Sequence, residues 1–289
     1  MAYIVKGTRM VMGTFVTITM VHTNQDESQR ALLAAFDEIY RINDLMSVHK
    51  ENSEVSLLNK KGFYENISSD TKYVIQRSKY FSELSDGAFD ITILPILKLW
   101  EYSTHQGKIP TDTEITGQAK LVNYKDILVK NGIVAFRKAG MGITTAGVGK
   151  GYAVDKAIEA LQQYGIEHAL VNAGGDIRVI GGKTETIPWK IAVRDPRNKS
   201  RIVTTFEFFD QAIATSGAYQ RSFNDIISPR AGRPAQEILS STIIAETAID
   251  ADILATCICI LGSTTGLELI QKSGNAKALI ITSDGVTLN

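Results

Sequence analysis

Three short stretches carry the residue types that chemistry needs. The first is Thr144-Thr145-Ala146-Gly147-Val148-Gly149-Lys150-Gly151-Tyr152-Ala153, in which small residues run into a helix start with one lysine at the turn. Amide N–H groups at a helix N-terminus attract phosphate, and glycines let a pyrophosphate approach the backbone. The stretch departs from the P-loop pattern at Gly151, where Ser or Thr is required, and it is not GxGxxG. A phosphate cradle and a tightly packed helix start with a surface lysine account for it equally well. The second stretch places Asp252 and Thr256 four residues apart on an apolar helix, hence on one face. One carboxylate and one hydroxyl are hard oxygen ligands of the kind Mg²⁺ takes sparingly, completing its shell with water and phosphate. A cap at a helix end, on Asp250 or Asp252, explains the acid as well. Among Ile253, Leu254, Cys257 and Ile258, however, a buried carboxylate needs a partner. The third, Asn172-Ala173-Gly174-Gly175-Asp176, reads first as a hairpin turn needing positive φ, and second as a close backbone approach to a ligand.

Two further segments, Asp86-Gly87-Ala88-Phe89-Asp90 with Pro95 and Trp100, and Thr215-Ser216-Gly217 leading to residues 224–232, read individually as turns. The elements that must position all of these follow from periodicity. Residues 15–21 alternate like a strand, and residues 27–46 carry Leu32, Phe36, Ile39 and Tyr40 at helical spacing. Ser69-Asp70 can cap a second helix with Val74, Ile75, Phe81 and Leu84 inward, ending near Gly87. Residues 120–137 read as short strands joined at Asn131-Gly132. A third helix spans 147–164, with Val154, Ala157, Ile158 and Leu161 as its stripe and Gly165 as its cap. Strands follow at 168–171, 177–180, 189–193, 202–208 and 213–215, then a helix over 250–261 and a strand at 278–282. Helices and strands in mixed order predict an α+β fold with a mixed, largely antiparallel sheet and packed helices. The length fits one large domain or two lobes; composition marks no internal boundary, and residues 1–289 are read as a single domain whose lobes the sequence does not resolve.

The bulk numbers exclude several functions. Of 289 residues 44% are hydrophobic, enough for a sizeable core. Lysine plus arginine (31) equal aspartate plus glutamate (31), so the basic surplus of a nucleic-acid binder is absent. No run of about 18 apolar residues occurs, so no membrane span is expected. The opening residues 1–6 lack the basic, apolar, small-residue order of a secretory signal, which fits a cytoplasmic protein or one whose leader has been removed. Cys257 and Cys259, two apart in a helical stretch, do not face each other and are expected as buried thiols without a disulfide.

Taken in order, the segments resemble the ApbE family of FAD:protein FMN transferases along nearly the whole chain. Met12-Gly13-Thr14 resembles the family's opening MGT, and Ser53-Glu54 with Leu57-Leu58-Asn59 resembles its serine-rich segment. Gly87 to Asp90 with Pro95 and Trp100 is similar to its AFD region, and residues 147–155 are similar to GGIAKGYAxD. Residues 172–176 resemble NxGGD, residues 215–217 TSG, and Ala251-Asp252 with Ala255-Thr256 ADxxAT. Any one of these is weak; seven in one order are specific.

The resemblance implies a cleft between two lobes that binds FAD as substrate, with Mg²⁺ bridging its pyrophosphate. It implies metal ligands at Asp252, Thr256 and the Gly147 carbonyl, and FAD contacts at Met12, Ala88, Phe89, Asp90, Thr144, Lys150 and Ile226. A Thr or Ser hydroxyl of an acceptor flavoprotein attacks the FMN-side phosphorus and AMP leaves, with Lys150 offsetting charge on the phosphate. It also favours the extracytoplasmic side of the cell envelope. The loop at 224–232 departs from the family's S-H-I-I-D-P-x-T-G: Asp225 stands for the histidine, Ser228 for the aspartate and Ala231 for the threonine. Thr144 stands where aspartate is frequent, and His49 where an aromatic is. Asp225 thereby becomes the candidate general base, although an ordinary aspartate, with a pKa of about 3.9, is a weak one. Two other outcomes are consistent with the same cleft: an FAD pyrophosphatase releasing FMN and AMP, and a flavin-binding pseudoenzyme without transfer.

Overall fold

The computed structural model of the chain describes residues 2–217 and 226–289. The first half carries β1 (Tyr3–Val11), β2 (Thr14–His22), α1 (Gln25–Met46), α2 (Glu54–Lys61), β3 (Phe63–Tyr64) and α3 (Ser69–Leu84). It continues with α4 (Leu94–His105), α5 (Asp112–Ala119), β4 (Ile127–Lys130) and β5 (Ile133–Phe136). The second half carries α6 (Gly149–Gln163), β6 (His168–Ala173), β7 (Asp176–Ile180), β8 (Trp189–Asp195), β9 (Asn198–Phe208) and β10 (Ala212–Ser216). It closes with β11 (Ile227–Ser228), β12 (Arg233–Pro234), β13 (Ile238–Ala245), α7 (Ala248–Ser273), β14 (Lys277–Thr282) and β15 (Val286–Leu288).

Eight strands form the central sheet in the order β1-β2-β6-β7-β10-β13-β14-β15. Every ladder in it is antiparallel, so the sheet is antiparallel throughout rather than mixed. The period-two alternation of strands decides what covers each face. Val16, Ile18 and Met20 of β2 and Ala212 and Ala214 of β10 pack under α1, α6 and α7. Ile177 and Val179 of β7, Ile213 of β10, Ile244 and Leu279 turn the other way, against Trp189, Ile191, Val193 and Phe208 of the β8–β9 hairpin. Small alanines on the helix side let α7 lie close on β10 and β13. Beside this sandwich, α4, α5 and β11 share a smaller core of Ile93, Ile96, Trp100, Ile115 and Ile227.

The structure sharpens several sequence expectations. The cap of α3 is Ser68, whose hydroxyl accepts from the Thr71 N–H, one residue before the pair expected to cap it; the helix itself begins at Ser69. Residues 120–126 form turns rather than strand, and only the hairpin around Asn131 and Gly132, both at positive φ, is extended. The last helix starts at Ala248 and runs on to Ser273, broken at Gly262 where φ is 80°. Its length and apolar character meet the dimensions of a membrane span, which no uninterrupted apolar run indicated. Its packing on β13, β10 and α6 makes it the core helix of this sandwich. Cys257 and Cys259 are buried free thiols on α7, both held well above the ordinary thiol range by burial.

Candidate active site

The helices α6 and α7 meet at their N-termini, and each caps the other. Val148, at the N-cap of α6, supplies no side-chain acceptor. The carboxylate of Asp252, one turn into α7, accepts instead from the Gly151 N–H at 3.2 Å. In return, Asp155 of α6 accepts from the first N–H groups of α7, Ala248 and Ile249, at 2.9 Å each, and from Arg178 of β7 at 2.8 Å. Burial pushes the Asp155 carboxyl up, and Arg178 and the two amides pull it back. Carboxylates at helix N-termini are favoured by the orphan N–H groups and by the dipole. Gly151 allows this approach: a Cβ there would sit 2.3 Å from the Ala248 carbonyl oxygen. Asp250 fixes α7 from a third side through a two-pronged pair with Arg77 of α3, at 2.7 and 2.6 Å.

At this junction Lys150 is ion-paired with Asp176, and its Nζ lies 3.8 Å from Asp252 Oδ2. Burial first, and then the charge of Asp252, push the Asp176 carboxyl up to about 7, against the pull of Lys150. Gly147, at φ 77°, lies directly beneath Thr256: a Cβ there would stand 2.8 Å from Thr256 Oγ1 and 3.5 Å from the Phe89 ring. Thr256 Oγ1 also reaches the Asp252 carbonyl at 3.2 Å and Ser216 Oγ of β10 at 3.4 Å.

Distant segments fix the turn before α6. Asn59 clamps Ile143 in both directions, donating to its carbonyl at 2.8 Å and accepting from its N–H at 2.7 Å. Thr145 Oγ1 donates to the Met46 carbonyl at 3.1 Å, and the Thr144 N–H to that of Ile91 at 2.8 Å. The β1–β2 turn, Met12-Gly13, has both residues at positive φ, and the Met12 methyl comes within 3.9 Å of where a Gly149 Cβ would stand. Thr14 packs on Gly174, where a Cβ would meet its Oγ1 at 2.5 Å. That contact, with the bond from the Gly175 N–H to Asn172 Oδ1 at 2.9 Å, presents Asp176 as the first residue of β7.

The structure thus brings Met12, Phe89, Gly147, Lys150, Asp252 and Thr256 to one end of the helix layer. Asp90 and Thr144 take part differently. Both Asp90 oxygens are committed inward, to the Thr92 N–H and hydroxyl at 2.8 and 2.6 Å and to the Tyr124 N–H at 2.8 Å; burial pushes this carboxyl up. Thr144 is buried, and its hydroxyl accepts from the Ala146 N–H at 3.2 Å, shaping the turn. Ala88 is buried behind Phe89, and Ile226 packs against the main core while its carbonyl accepts from the Ala235 N–H at 2.9 Å. The loop after Ile226 is tied down by the Trp100 indole N–H on the Gly232 carbonyl, 2.8 Å, and by Arg230 on Asp86. Asp225 lies outside the described residues. Sequence reasoning missed Asp176 and Asp155 as site-building acids. The available signals were a carboxylate entering a strand that is otherwise buried, and another inside a helix stripe.

The fold and this junction define a family. The chain belongs to the ApbE family, whose model matches residues 12–280. Among its relatives is an FAD:protein FMN transferase of Vibrio cholerae, 28% identical over 287 residues that cover 94% of this chain and 86% of that one. Another FAD:protein FMN transferase, from Escherichia coli K12, is 26% identical over 95% of this chain and 83% of its own. Among solved structures, the ApbE protein of Thermotoga maritima superposes with a TM-score of 0.89 at 30% identity, covering 99% of this chain and 97% of that one. The flavin transferase ApbE from Vibrio cholerae gives 0.87 at 26% identity, covering 100% and 96%.

Proposed function

We propose that this chain is a Mg²⁺-dependent FAD:protein FMN transferase. A Thr or Ser hydroxyl of an acceptor protein attacks the FMN-side phosphorus of FAD, the P–O bond to AMP breaks, and FMN remains on the acceptor as a phosphoester. The observation that carries this reading is the meeting of one lysine, one buried carboxylate and one hydroxyl at the N-terminus of α6, over a turn kept open by Gly147. The family and the names of its relatives supply the reaction class.

The donors present suit Mg²⁺. Asp252, Thr256 and the Gly147 carbonyl are hard oxygens, and the space over Gly147 is one that a Cβ would close. These residues would hold the ion, which would supply positive charge against the phosphate oxygens. Lys150 offsets the charge that grows as AMP leaves, and the α6 N-terminus orients phosphate by its amides. Phe89 and Met12 offer apolar surface beside the same turn for an aromatic ring system. Standing in sequence where the family has a histidine, Asp225 would accept the proton of the attacking hydroxyl.

The test is to incubate the protein with FAD, Mg²⁺ and a flavin-acceptor domain. An FMN-sized mass gain on the acceptor with matching AMP supports transfer. FMN and AMP released with the acceptor unmodified supports hydrolysis, and tight FAD binding without AMP supports a pseudoenzyme.

A further inference from the structure

Lys150 stands between two buried carboxylates and lies closer to one than to the other. Its ammonium contacts Asp176, while Asp252 Oδ2 is 3.8 Å away. The two acids are 3% exposed at their side chains, whereas the lysine side chain is 35% exposed on a flexible stem. Asp176 is the rigid partner. Its backbone is fixed by the β6–β7 ladder at Ala173 and by the double-glycine turn whose N–H Asn172 accepts. An ammonium released from Asp176 would find Asp252 as its nearest buried carboxylate. There it would compete with a divalent cation for the same oxygens.

We infer that Asp176 is a positioning residue: it holds the Lys150 ammonium away from Asp252 and so keeps that carboxylate available to the cation. This rests on the metal reading proposed above. It assigns the NxGGD aspartate a task of its own. The pairing also leaves Lys150 at the mouth of the junction, where its exposed length lets it follow phosphate.

The test is a Mn²⁺ titration of the full chain without FAD, with free ion followed by electron paramagnetic resonance and folding followed by thermal melts. Asp176→Asn is expected to weaken Mn²⁺ binding by about 10–100-fold, the usual effect of removing an outer partner of a metal ligand. The double variant Asp176→Asn with Lys150→Met, whose local net charge equals that of the parent, is expected to regain most of the loss. Unchanged affinity in Asp176→Asn, or a double variant no tighter than Asp176→Asn, would overturn the inference. Should Asp176→Asn fail to fold, Lys150→Met alone decides: affinity equal to or tighter than the parent supports the inference, and weaker binding overturns it. Absence of Mn²⁺ binding by the parent chain overturns the metal reading itself and this inference with it.

Discussion

Gly151→Ala separates a helix-propensity argument from a packing argument, because the two predict opposite signs. In a helix interior, alanine is favoured over glycine by about 1 kcal/mol. Position 151 lies in the first turn of α6, yet its missing Cβ faces backbone: the Ala248 oxygen at 2.3 Å, the Ala248 carbon at 2.7 Å and the Ile249 Cα at 2.8 Å. A carbon approaches a carbonyl oxygen to roughly 3.3 Å, so the two helix starts must part by about 1 Å. Overpacking of this kind costs about 1–3 kcal/mol. The obstacle is another helix's backbone and not a flexible side chain, so the upper end applies. Net of propensity, the loss is roughly 2 kcal/mol, which for a chain of this size lowers Tm by about 5 °C. The same parting stretches the bond from the Gly151 N–H to Asp252 and moves Lys150 relative to it. A displacement near 1 Å at reacting groups costs on the order of a hundredfold in rate. The assay is a thermal melt paired with the initial rate of AMP release from FAD. Gly117→Ala in α5 serves as the control, since nothing lies within 4 Å of its Cβ; its rate should match the parent's and its melting temperature should be no lower. A Gly151→Ala protein as stable and as active as the parent would refute the account of the helix junction.

Three further changes test separate links. Asp252→Ala should lower Mg²⁺-dependent AMP release by more than about a hundredfold, given that even outer-shell partners of metals are worth 10–100-fold; unchanged turnover would sink the metal assignment. Asn59→Leu removes both bonds to the Ile143 backbone and leaves a part-buried N–H and C=O without partners. The expected loss is about 2–4 kcal/mol in urea unfolding, and a loss below about 0.5 kcal/mol would contradict the clamp. Asp155→Ala removes the acceptor of the first two α7 amides, leaving the Thr247 cap in place, and leaves Arg178 facing those two orphan amides. Breaking such a pair costs about 3–5 kcal/mol, and Asp155→Asn, which keeps an acceptor oxygen, should cost clearly less in the same melt. Equal losses for the two variants would show that the carboxylate's bonds to α7 are not what matters.

Much of this architecture was legible in the residues. The strand at β2, the helix α1 and the cap of α6 by Gly165 follow from alternation, helical spacing and a positive-φ glycine, all of them local signals. Helix α2 was missed because eight residues give too short a period, and α4 because its stripe is shared with a turn that Pro95 opens. The candidate site divides in the same way. Lys150, Asp252 and Thr256 stood out because a lysine at a glycine turn and a polar pair in an apolar helix break the local pattern. Asp176 and Asp155 did not, since their partners are 23 or more residues away in the chain. At Asp90 the local residues do not reveal where the carboxylate goes: its oxygens close a turn with Thr92 and reach across to Tyr124.

The central claim is that the cation sits where α6 and α7 cap each other. Crystals soaked with Mn²⁺ and FAD test it through the anomalous signal of the metal. The account predicts a peak about 2.0–2.3 Å from an Asp252 oxygen, the Thr256 hydroxyl and the Gly147 carbonyl. A peak confined to another oxygen and nitrogen cluster, such as Glu167, His168 and Glu185 on the surface, with none at Asp252, would contradict it.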